Sequence, residues 1–257
     1  MASPGGAAWF WLSRAQRRAA LDNYAAALGR SPADAEVARV AKQAFQNYGR
    51  MLMDFLLMGS LTPEDLIGSV TIDGREQLDK ALAGGRGAIM AVPHMGSWDV
   101  AGAYAGALGY RVLAVAERFP GSLNDEVVRT RQRFGMNVVM IGRAAVNAII
   151  SALERNEVIA LVCDLEQGPG VGVKFFGRSA VVPAGPAAFA LKTGAPLIPV
   201  KVSLVAPSRY HIHLDEPMSW GPDATKESLM QRVVNRFEDF IREQPDQWYA
   251  FRPMFKN

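Results

Sequence analysis

Ala88-Ile-Met-Ala-Val-Pro-His-Met-Gly-Ser-Trp-Asp-Val100 is the stretch that decides the fold. It opens with an apolar run typical of a buried strand, and Ser97 and Asp99 are residues that begin a helix. His94 therefore lies where a strand gives way to a helix. If the chain turns sharply at Gly96, the Asp99 carboxylate can reach one imidazole nitrogen and leave the other as a general base. The alternative is that Ser97 and Asp99 only cap a helix and favour its dipole.

Strand and helix patterns alternate on both sides of this segment. The short apolar runs that predict strands cover residues 69–72, 87–92, 111–115, 137–140 and 157–163. Amphipathic patterns with helix signals separate them, which predicts an α/β fold with a mostly parallel central sheet flanked by helices. Beyond Asp164 the alternation stops, and the Gly-rich residues 167–172 predict a flexible loop. An apolar strand over 196–205 then has a candidate antiparallel neighbour over 209–214.

The first 66 residues predict only helices. Ser31 and Pro32 carry a helix start signal, and apolar residues spaced by three and four predict one long amphipathic helix that ends near Gly59. We therefore expect residues 1–66 to form an N-terminal helical segment and residues 67–257 to form the α/β domain.

Aromatic side chains and arginines are neighbours near the start of the chain. Residues 9–12 are Trp-Phe-Trp-Leu, and Arg14, Arg17 and Arg18 follow. This pattern is typical of a helix at a membrane interface, although a helix packed on the protein's own core has the same pattern. No stretch reaches the roughly 18 to 20 apolar residues that span a bilayer, and residues 7–12 are too short for a signal-peptide core. We expect a cytoplasmic chain that contacts a membrane surface.

The composition excludes several classes of protein. The 257 residues are 49% hydrophobic and 21% charged, which is typical of a globular chain, and the net charge is +3. We expect no nucleic-acid partner. The single cysteine, Cys163, excludes an internal disulfide and a zinc–thiolate cluster, and its apolar surroundings predict a core residue. The sequence has neither the Gly-x-Ser-x-Gly motif of serine hydrolases nor the phosphate-binding loop of nucleotide triphosphatases.

Charged side chains follow three of the predicted strands. His94 follows the second strand, Glu117 and Arg118 follow the third, and Asp164 and Glu166 follow the fifth. Ligands of parallel sheets bind beyond the carboxyl ends of the strands. The convergence of these side chains therefore predicts a binding or catalytic site at that edge.

Two further histidines suggest a metal site only weakly. His211, His213 and Asp215 alternate on one predicted strand and so face the same side, as metal ligands on a strand do. His94 is the only other histidine, which leaves too few ligands for a two-metal hydrolase. We therefore expect histidines of an edge strand and no metal.

His94-Met-Gly-Ser-Trp-Asp99 resembles the His-x-x-x-x-Asp motif of the glycerolipid and lysophospholipid acyltransferase superfamily. Its surroundings are similar to the bacterial branch that contains lipid A lauroyl and myristoyl transferases and phosphatidylinositol mannoside acyltransferases. Companion motifs follow in that family's order over roughly residues 40 to 250. They are Glu117-Arg-Phe-Pro120, an arginine-rich helix to Arg131 and Gly135, Asp164-Leu-Glu-Gln167, Val173-Lys-Phe-Phe-Gly177, Pro183-Ala-Gly185, Thr193-Gly-Ala-Pro-Leu-Ile-Pro199 and Gln247-Trp-Tyr249.

The resemblance implies transfer of a fatty acyl chain from acyl-CoA or acyl carrier protein to a hydroxyl of a membrane lipid or glycolipid. His94 then takes the hydroxyl proton as the alcohol attacks the thioester carbonyl, and Asp99 orients and stabilises the imidazolium. The thioester is a co-substrate, so no cofactor is expected. Backbone amides at the helix start after Gly96 are candidates to hold the oxyanion.

The substrate-binding residues expected from the resemblance are Glu117, Arg118, Arg131, Asp164, Glu166, Phe175 and Phe176. The two arginines suit phosphate groups, because guanidinium binds phosphate oxygens in pairs, although solvated surface charge is the alternative. We expect the acidic residues to hold those arginines or sugar hydroxyls. The phenylalanines are expected to pack in the core or to line an acyl channel.

Two departures from the family pattern bear on the function. Asp99 stands where lipid A acyltransferases usually carry Glu, which favours the mannoside or phospholipid side of the family. The amino-terminal anchor common in the lipid A enzymes is missing, so we expect a peripheral protein on the cytoplasmic face of the bacterial inner membrane. A non-catalytic lipid-binding protein of the same fold and an acyl thioesterase remain as alternative functions.

Overall fold

A seven-stranded sheet lies at the centre of the chain, whose computed structural model describes residues 4–117, 121, 123–168 and 170–255. The helices are α1 (Pro4–Leu12), α2 (Arg14–Leu28), α3 (Ala35–Met58), α4 (Pro63–Gly68), α5 (Arg75–Ala83), α6 (Trp98–Ala107), α7 (Leu123–Arg133), α8 (Arg143–Glu154), α9 (Gly185–Thr193) and α10 (Lys226–Glu243). The strands are β1 (Val70–Asp73), β2 (Ala88–Val92), β3 (Val112–Ala116), β4 (Met136–Met140), β5 (Val158–Val162), β6 (Gly170–Phe175), β7 (Arg178–Pro183), β8 (Leu197–Ala206) and β9 (Arg209–Leu214).

The order of the strands in the sheet is β1-β9-β8-β2-β5-β3-β4. β8, β2, β5, β3 and β4 are parallel to one another, and β9 is antiparallel to β8 and parallel to β1. Alternate residues of the central strands enter two hydrophobic cores, one on each face of the sheet. α8, α9 and α10 cover one face, whereas α4, α5 and α6 cover the other. The predicted α/β fold with a mostly parallel sheet is confirmed.

The N-terminal helices share the first of these cores. Ala41 and Phe45 of α3 are fully buried in the same cluster as Ile89 of β2. The predicted start of the long helix at Ser31 and Pro32 is wrong. α3 begins after Asp34, whose carboxylate accepts a hydrogen bond from the Glu36 amide at 2.8 Å and so caps the helix three residues later than expected.

The aromatic residues near the start of the chain divide between core and solvent. Trp9 packs edge-on against Phe45, with ring centroids 4.8 Å apart, and Phe10 is buried. Trp11 and Leu12, in contrast, are 61% and 81% exposed. Among the helices in the described ranges, none is long and apolar enough to cross a membrane.

The second half of the segment predicted to be a flexible loop is strand. β6 begins at Gly170 and forms an antiparallel hairpin with β7, a strand that the sequence pattern did not predict. Glycine is required at position 170, because a Cβ there would lie 2.5 Å from a methyl of Val181 and 2.7 Å from the Val182 carbonyl oxygen. Val171 and Val173 are buried in the core, which fixes the hairpin against the domain.

The two histidines of β9 lie on an interior strand rather than at an edge, as β9 is paired on both sides. Nε2 of His211 lies 3.2 Å from Asp73 of β1, and Nε2 of His213 lies 3.0 Å from Asp215. The expected edge-strand position is therefore wrong. The prediction failed because β9 pairs with β1, a strand about 140 residues away in the sequence.

Candidate active site

His94 lies two residues beyond the end of β2 and is held by one carboxylate. Its Nδ1 lies 2.6 Å from Oδ1 of Asp164, and its backbone amide donates to the same oxygen at 2.9 Å. The imidazole packs edge-on against Trp98, and 28% of the side chain is exposed. With Nδ1 donating to the carboxylate, Nε2 is the nitrogen that carries the free lone pair.

The register of the sheet explains why Asp164 is the partner of His94. Val92 pairs with Val162 in the parallel ladder of β2 and β5, and the next amide, that of Cys163, donates to the Val92 carbonyl at 3.0 Å. His94 and Asp164 each lie two residues beyond this pair. Two neighbouring parallel strands therefore deliver an imidazole and a carboxylate to the same level at the carboxyl edge.

Asp164 is fully buried, yet its carboxylate is fully hydrogen bonded. Oδ1 accepts from the amide and the ring of His94, and Oδ2 accepts from the indole Nε1 of Trp248 at 2.8 Å. A buried carboxylate needs such donors in place of water. Trp248 therefore holds the carboxylate oxygen that His94 does not contact.

The expected contact between Asp99 and His94 is wrong. Asp99 instead accepts a hydrogen bond from Nε of Arg131 at 2.7 Å, and both side chains are only 9% exposed. Gly96 adopts φ of +60°, and a Cβ there would lie 2.1 Å from the Val202 carbonyl oxygen. This turn starts α6 so that the Asp99 carboxylate is directed to α7 instead of back to the imidazole.

Of the remaining predicted binding residues, three line the cavity that contains His94, one lies outside the described residues, and two lie elsewhere. Glu117 and Glu166 are exposed and line the mouth of the cavity that contains His94, where Gln167 donates a hydrogen bond to Glu117. Arg131 also lines this cavity. Arg118 lies outside the described residues.

The two phenylalanines do not line this cavity. Phe175 is fully buried and stacks on Phe176, with centroids 4.9 Å apart, and both rings pack against Trp248. The expectation that they bind substrate is therefore not supported, because they support the indole that holds Asp164. Sequence reasoning gave Trp248 no role beyond its place in a companion motif.

A cavity of about 500 Å³ extends from His94 between the sheet and α6. The strand residues that line it include Met90, Val92, Val112, Ala114, Val158, Ala160 and Val162. Ala101, Gly102 and Ala105 face them from α6. Small side chains on both surfaces leave the space open, so an apolar cavity begins at the imidazole and follows the strands toward their amino ends.

Comparison with known proteins identifies the family. A sequence model of the family described as "Bacterial lipid A biosynthesis acyltransferase" matches residues 2–257. The chain belongs to this family. It is 30% identical over 243 residues to the phosphatidylinositol mannoside acyltransferase of Mycolicibacterium smegmatis, a match that covers 91% of this chain and 77% of the relative. It is 29% identical over 228 residues to the protein of the same name from Mycobacterium tuberculosis strain H37Rv, covering 82% and 69%.

The single cysteine of this acyltransferase lies next to the site. Cys163 directly precedes Asp164, but its side chain is buried in the core. Burial and, to a lesser extent, the neighbouring Asp164 charge raise the pKa of the Cys163 thiol well above its ordinary value. The thiol therefore stays protonated and buried at neutral pH, which favours direct attack by an acceptor hydroxyl over an acyl-cysteine intermediate.

Proposed function

We propose that this acyltransferase moves a fatty acyl chain from a thioester donor to a hydroxyl of a glycolipid, with His94 as general base. The observation that carries the proposal is the 2.6 Å contact between His94 Nδ1 and Asp164 Oδ1 at the opening of the apolar cavity. Asp164 takes the orienting role that the sequence motif suggested for Asp99. The donor is the thioester of acyl-CoA or acyl carrier protein.

The proton transfers of the proposed reaction need only side chains present at this site. Nε2 of His94 accepts the acceptor's hydroxyl proton as the oxygen attacks the thioester carbonyl, and Asp164 stabilises the imidazolium. The tetrahedral intermediate then expels the thiolate, which receives the proton from His94, so an alcohol and a thioester become an ester and a thiol. General base catalysis of this kind contributes about 10² to 10⁴-fold.

The start of α6 supplies candidate donors for the oxyanion. The amides of Met95 and Gly96 already donate to the carbonyls of Pro93 and Gln247, at 2.7 and 3.2 Å. First-turn amides of a helix have no partner within the helix. We therefore assign the oxyanion to the Trp98 and Asp99 amides at the helix start after Gly96, whereas the Val100 amide donates to the Ser97 hydroxyl at 3.4 Å.

The cavity and its mouth suit the two parts of an acyl donor. The apolar interior matches an acyl chain, whose burial contributes about 0.8 kcal/mol per methylene. Arg131 is already paired with Asp99, so its proposed role is to fix the mouth of the cavity rather than to bind phosphate. Arg252 is exposed at the same mouth and is the proposed ligand of a donor phosphate, alongside Arg118.

The proposed acceptor follows from two observations, the carboxylates at the mouth of the cavity and the names of the relatives. Glu117 and Glu166 offer carboxylate oxygens that accept hydrogen bonds from sugar hydroxyls. The relatives are named for a mannosylated phosphatidylinositol. A glycolipid that presents a sugar hydroxyl to His94 satisfies both observations.

An exposed apolar surface supports attachment to a membrane. Leu52, Met53, Leu56 and Leu57 of α3, which we call the α3 patch, are 42–60% exposed. Tyr48 lies one turn before Leu52 and lines the cavity beside Trp9. The patch is therefore next to the mouth, where a peripheral protein would receive lipid substrates from a bilayer. We place this surface against the cytoplasmic face of the inner membrane.

The test is an assay of purified protein with labelled acyl thioesters and extracted bacterial glycolipids. His94→Ala and Asp164→Asn are expected to remove most transfer, while His211→Ala, which removes an imidazole paired with Asp73 outside the cavity, leaves it intact. Equal release of free fatty acid with and without acceptor would indicate a thioesterase instead. Lipid binding without turnover of any donor would indicate a non-catalytic lipid-binding protein.

A further inference from the structure

The far end of the cavity is lined by polar side chains. Arg75 and Tyr110 belong to the lining, and Asp79 joins them one turn along α5. The Tyr110 hydroxyl donates to Oδ1 of Asp79 and accepts from Nε of Arg75 at 3.0 Å. The Arg75 guanidinium carbon also lies 5.6 Å from the centre of the Tyr110 ring. We call Arg75, Asp79 and Tyr110 the clasp.

The clasp lies at the end of the cavity opposite to His94. Tyr110 lies two residues before β3 and Val112 begins it, so both lie at the amino edge of the parallel strands. Arg75 follows β1, which runs in the reverse direction and delivers the start of α5 to that same edge. His94 lies at the carboxyl edge, so the apolar channel runs the length of the strands between the imidazole and the clasp.

We propose that the clasp sets the longest acyl chain that the enzyme accepts. The inference rests on the proposed function, because it requires that the acyl chain of the donor occupies the cavity. Each methylene added to the chain gains about fourfold in binding while it remains in the apolar interior. The methyl end of a chain that reaches the clasp must separate charged and hydrogen-bonded groups without replacing their bonds, so further length is penalised.

The exposure of the clasp favours a role in specificity over one in stability. The side chains of Arg75 and Asp79 are 48% and 53% exposed, and their charged atoms lie 3.8 Å apart within one helix. Exposed pairs at this spacing contribute little to folding. Loss of the Arg75–Asp79 pair therefore leaves the fold intact, and removal of the clasp opens the end of the channel to water.

The experiment measures kcat/KM for a homologous series of acyl-CoA donors with a fixed glycolipid acceptor. For Tyr110→Ala we expect donors longer than the wild-type optimum to gain on the order of tenfold relative to that optimum. Asp79→Ala, an exposed position that does not endanger folding, is expected to shift the profile in the same direction by less. Lys80→Ala, exposed on the same helix and outside the cavity lining, is the matched control and keeps the wild-type profile.

A fourth variant separates this inference from the proposed function. Ala160 pairs with Met90 and Ala114 in the middle of the sheet, so Ala160→Leu fills the channel halfway and should move the optimum to shorter donors. If Ala160→Leu shortens the optimum while Tyr110→Ala and Asp79→Ala leave the profile unchanged, the clasp has no role and the proposed function stands. If no variant changes the profile, the chain does not occupy the cavity and the inference is wrong. Absence of transfer by the wild type from any donor overturns both.

Discussion

At the scale of single residues, two aspartates exchange the roles that the motif suggested. Asp164 receives three hydrogen bonds, from the amide and ring of His94 and from the Trp248 indole. Asp99 is paired with the Arg131 guanidinium. In the proposed mechanism the first arrangement orients a base, whereas the second arrangement neutralises a buried cation. We therefore expect different phenotypes from Asp164→Asn and Asp99→Asn.

Asp164→Asn is expected to lower kcat by about 10² to 10⁴-fold, the range of general base catalysis. An amide has the size of the carboxylate, but its nitrogen cannot accept a hydrogen bond, so either His94 or Trp248 loses its acceptor. Circular dichroism establishes that the variant is folded, and acyl transfer at saturating substrate gives kcat. Activity within a few-fold of the wild type would remove Asp164 from the mechanism.

Asp99→Asn is expected to act mainly on stability. It leaves the Arg131 guanidinium buried without a counter-charge, and loss of one partner of a buried pair costs about 3 to 5 kcal/mol. Urea unfolding measures the free energy, and Asp99→Leu combined with Arg131→Met is the control that removes both charges and should recover most of the loss. A change below about 1 kcal/mol for Asp99→Asn would show that the pair is not structural.

At the scale of secondary-structure elements, the small residues of α6 have two separate uses. Gly102 lines the cavity, and a Cβ there would lie 2.4 Å from the terminal methyl of Met136. Gly106 lies against the backbone, where a Cβ would be 1.9 Å from the Phe134 carbonyl oxygen. A flexible methionine can move aside, but a backbone carbonyl can do so only if the helix shifts. The two glycines should therefore differ in their tolerance of alanine.

Gly106→Ala is expected to destabilise the protein by about 1 to 3 kcal/mol, although alanine in a helix interior normally stabilises by about 1 kcal/mol. The clash with the Phe134 carbonyl outweighs the helix preference and separates α6 from the start of β4. Gly102→Ala is the matched control on the same helix, and we expect a free energy of unfolding within about 1 kcal/mol of the wild type. Equal effects at both positions, measured by urea unfolding, would contradict this assignment.

The order of the strands explains which part of the site the sequence could predict. His94, Glu117, Asp164 and Glu166 each follow a strand that local apolar patterns predict, so their meeting at one edge of the sheet followed from the α/β pattern. The contact between His94 and Asp164 requires that β5 lies beside β2, although β3 and β4 intervene in the sequence. Local patterns carry no information about that adjacency. Asp99 was chosen as the partner of His94 because it is the nearest carboxylate in the sequence, and that choice is wrong.

At the scale of the whole molecule, the two faces of the sheet differ in how closely they are packed. One face is packed by α8, α9, α10 and the N-terminal helices into a continuous core. The other face meets α6 across small side chains and retains a cavity of about 500 Å³. Ala101, Ala114 and Ala160 look like ordinary helix and strand residues in the sequence, so the cavity could not be predicted from it. It arises only where these small residues face each other.

The packing of the whole molecule also determines which residues can be changed to test the proposed membrane attachment. Trp9 and Phe10 pack in the core, so deletion of residues 9–18 would unfold the protein and could not test the proposed membrane contact by itself. Point substitutions on the α3 patch test attachment more directly. Insertion of a leucine side chain into the interface contributes about 1.5 kcal/mol or more, so Leu56→Glu combined with Leu57→Glu should weaken vesicle binding on the order of 10²-fold.

Sedimentation with vesicles that contain anionic phospholipid measures this binding. Val146→Glu adds a charge at an exposed apolar residue of α8, which packs against β4 and β5, and is expected to bind as the wild type does. The double variant should also keep its turnover of detergent-dispersed glycolipid while losing turnover of glycolipid embedded in vesicles, because His94 and its cavity are unchanged. Unaltered binding and turnover on vesicles would mean that another surface meets the membrane, and the exposed residues Trp11 and Leu12 would then be the next to change.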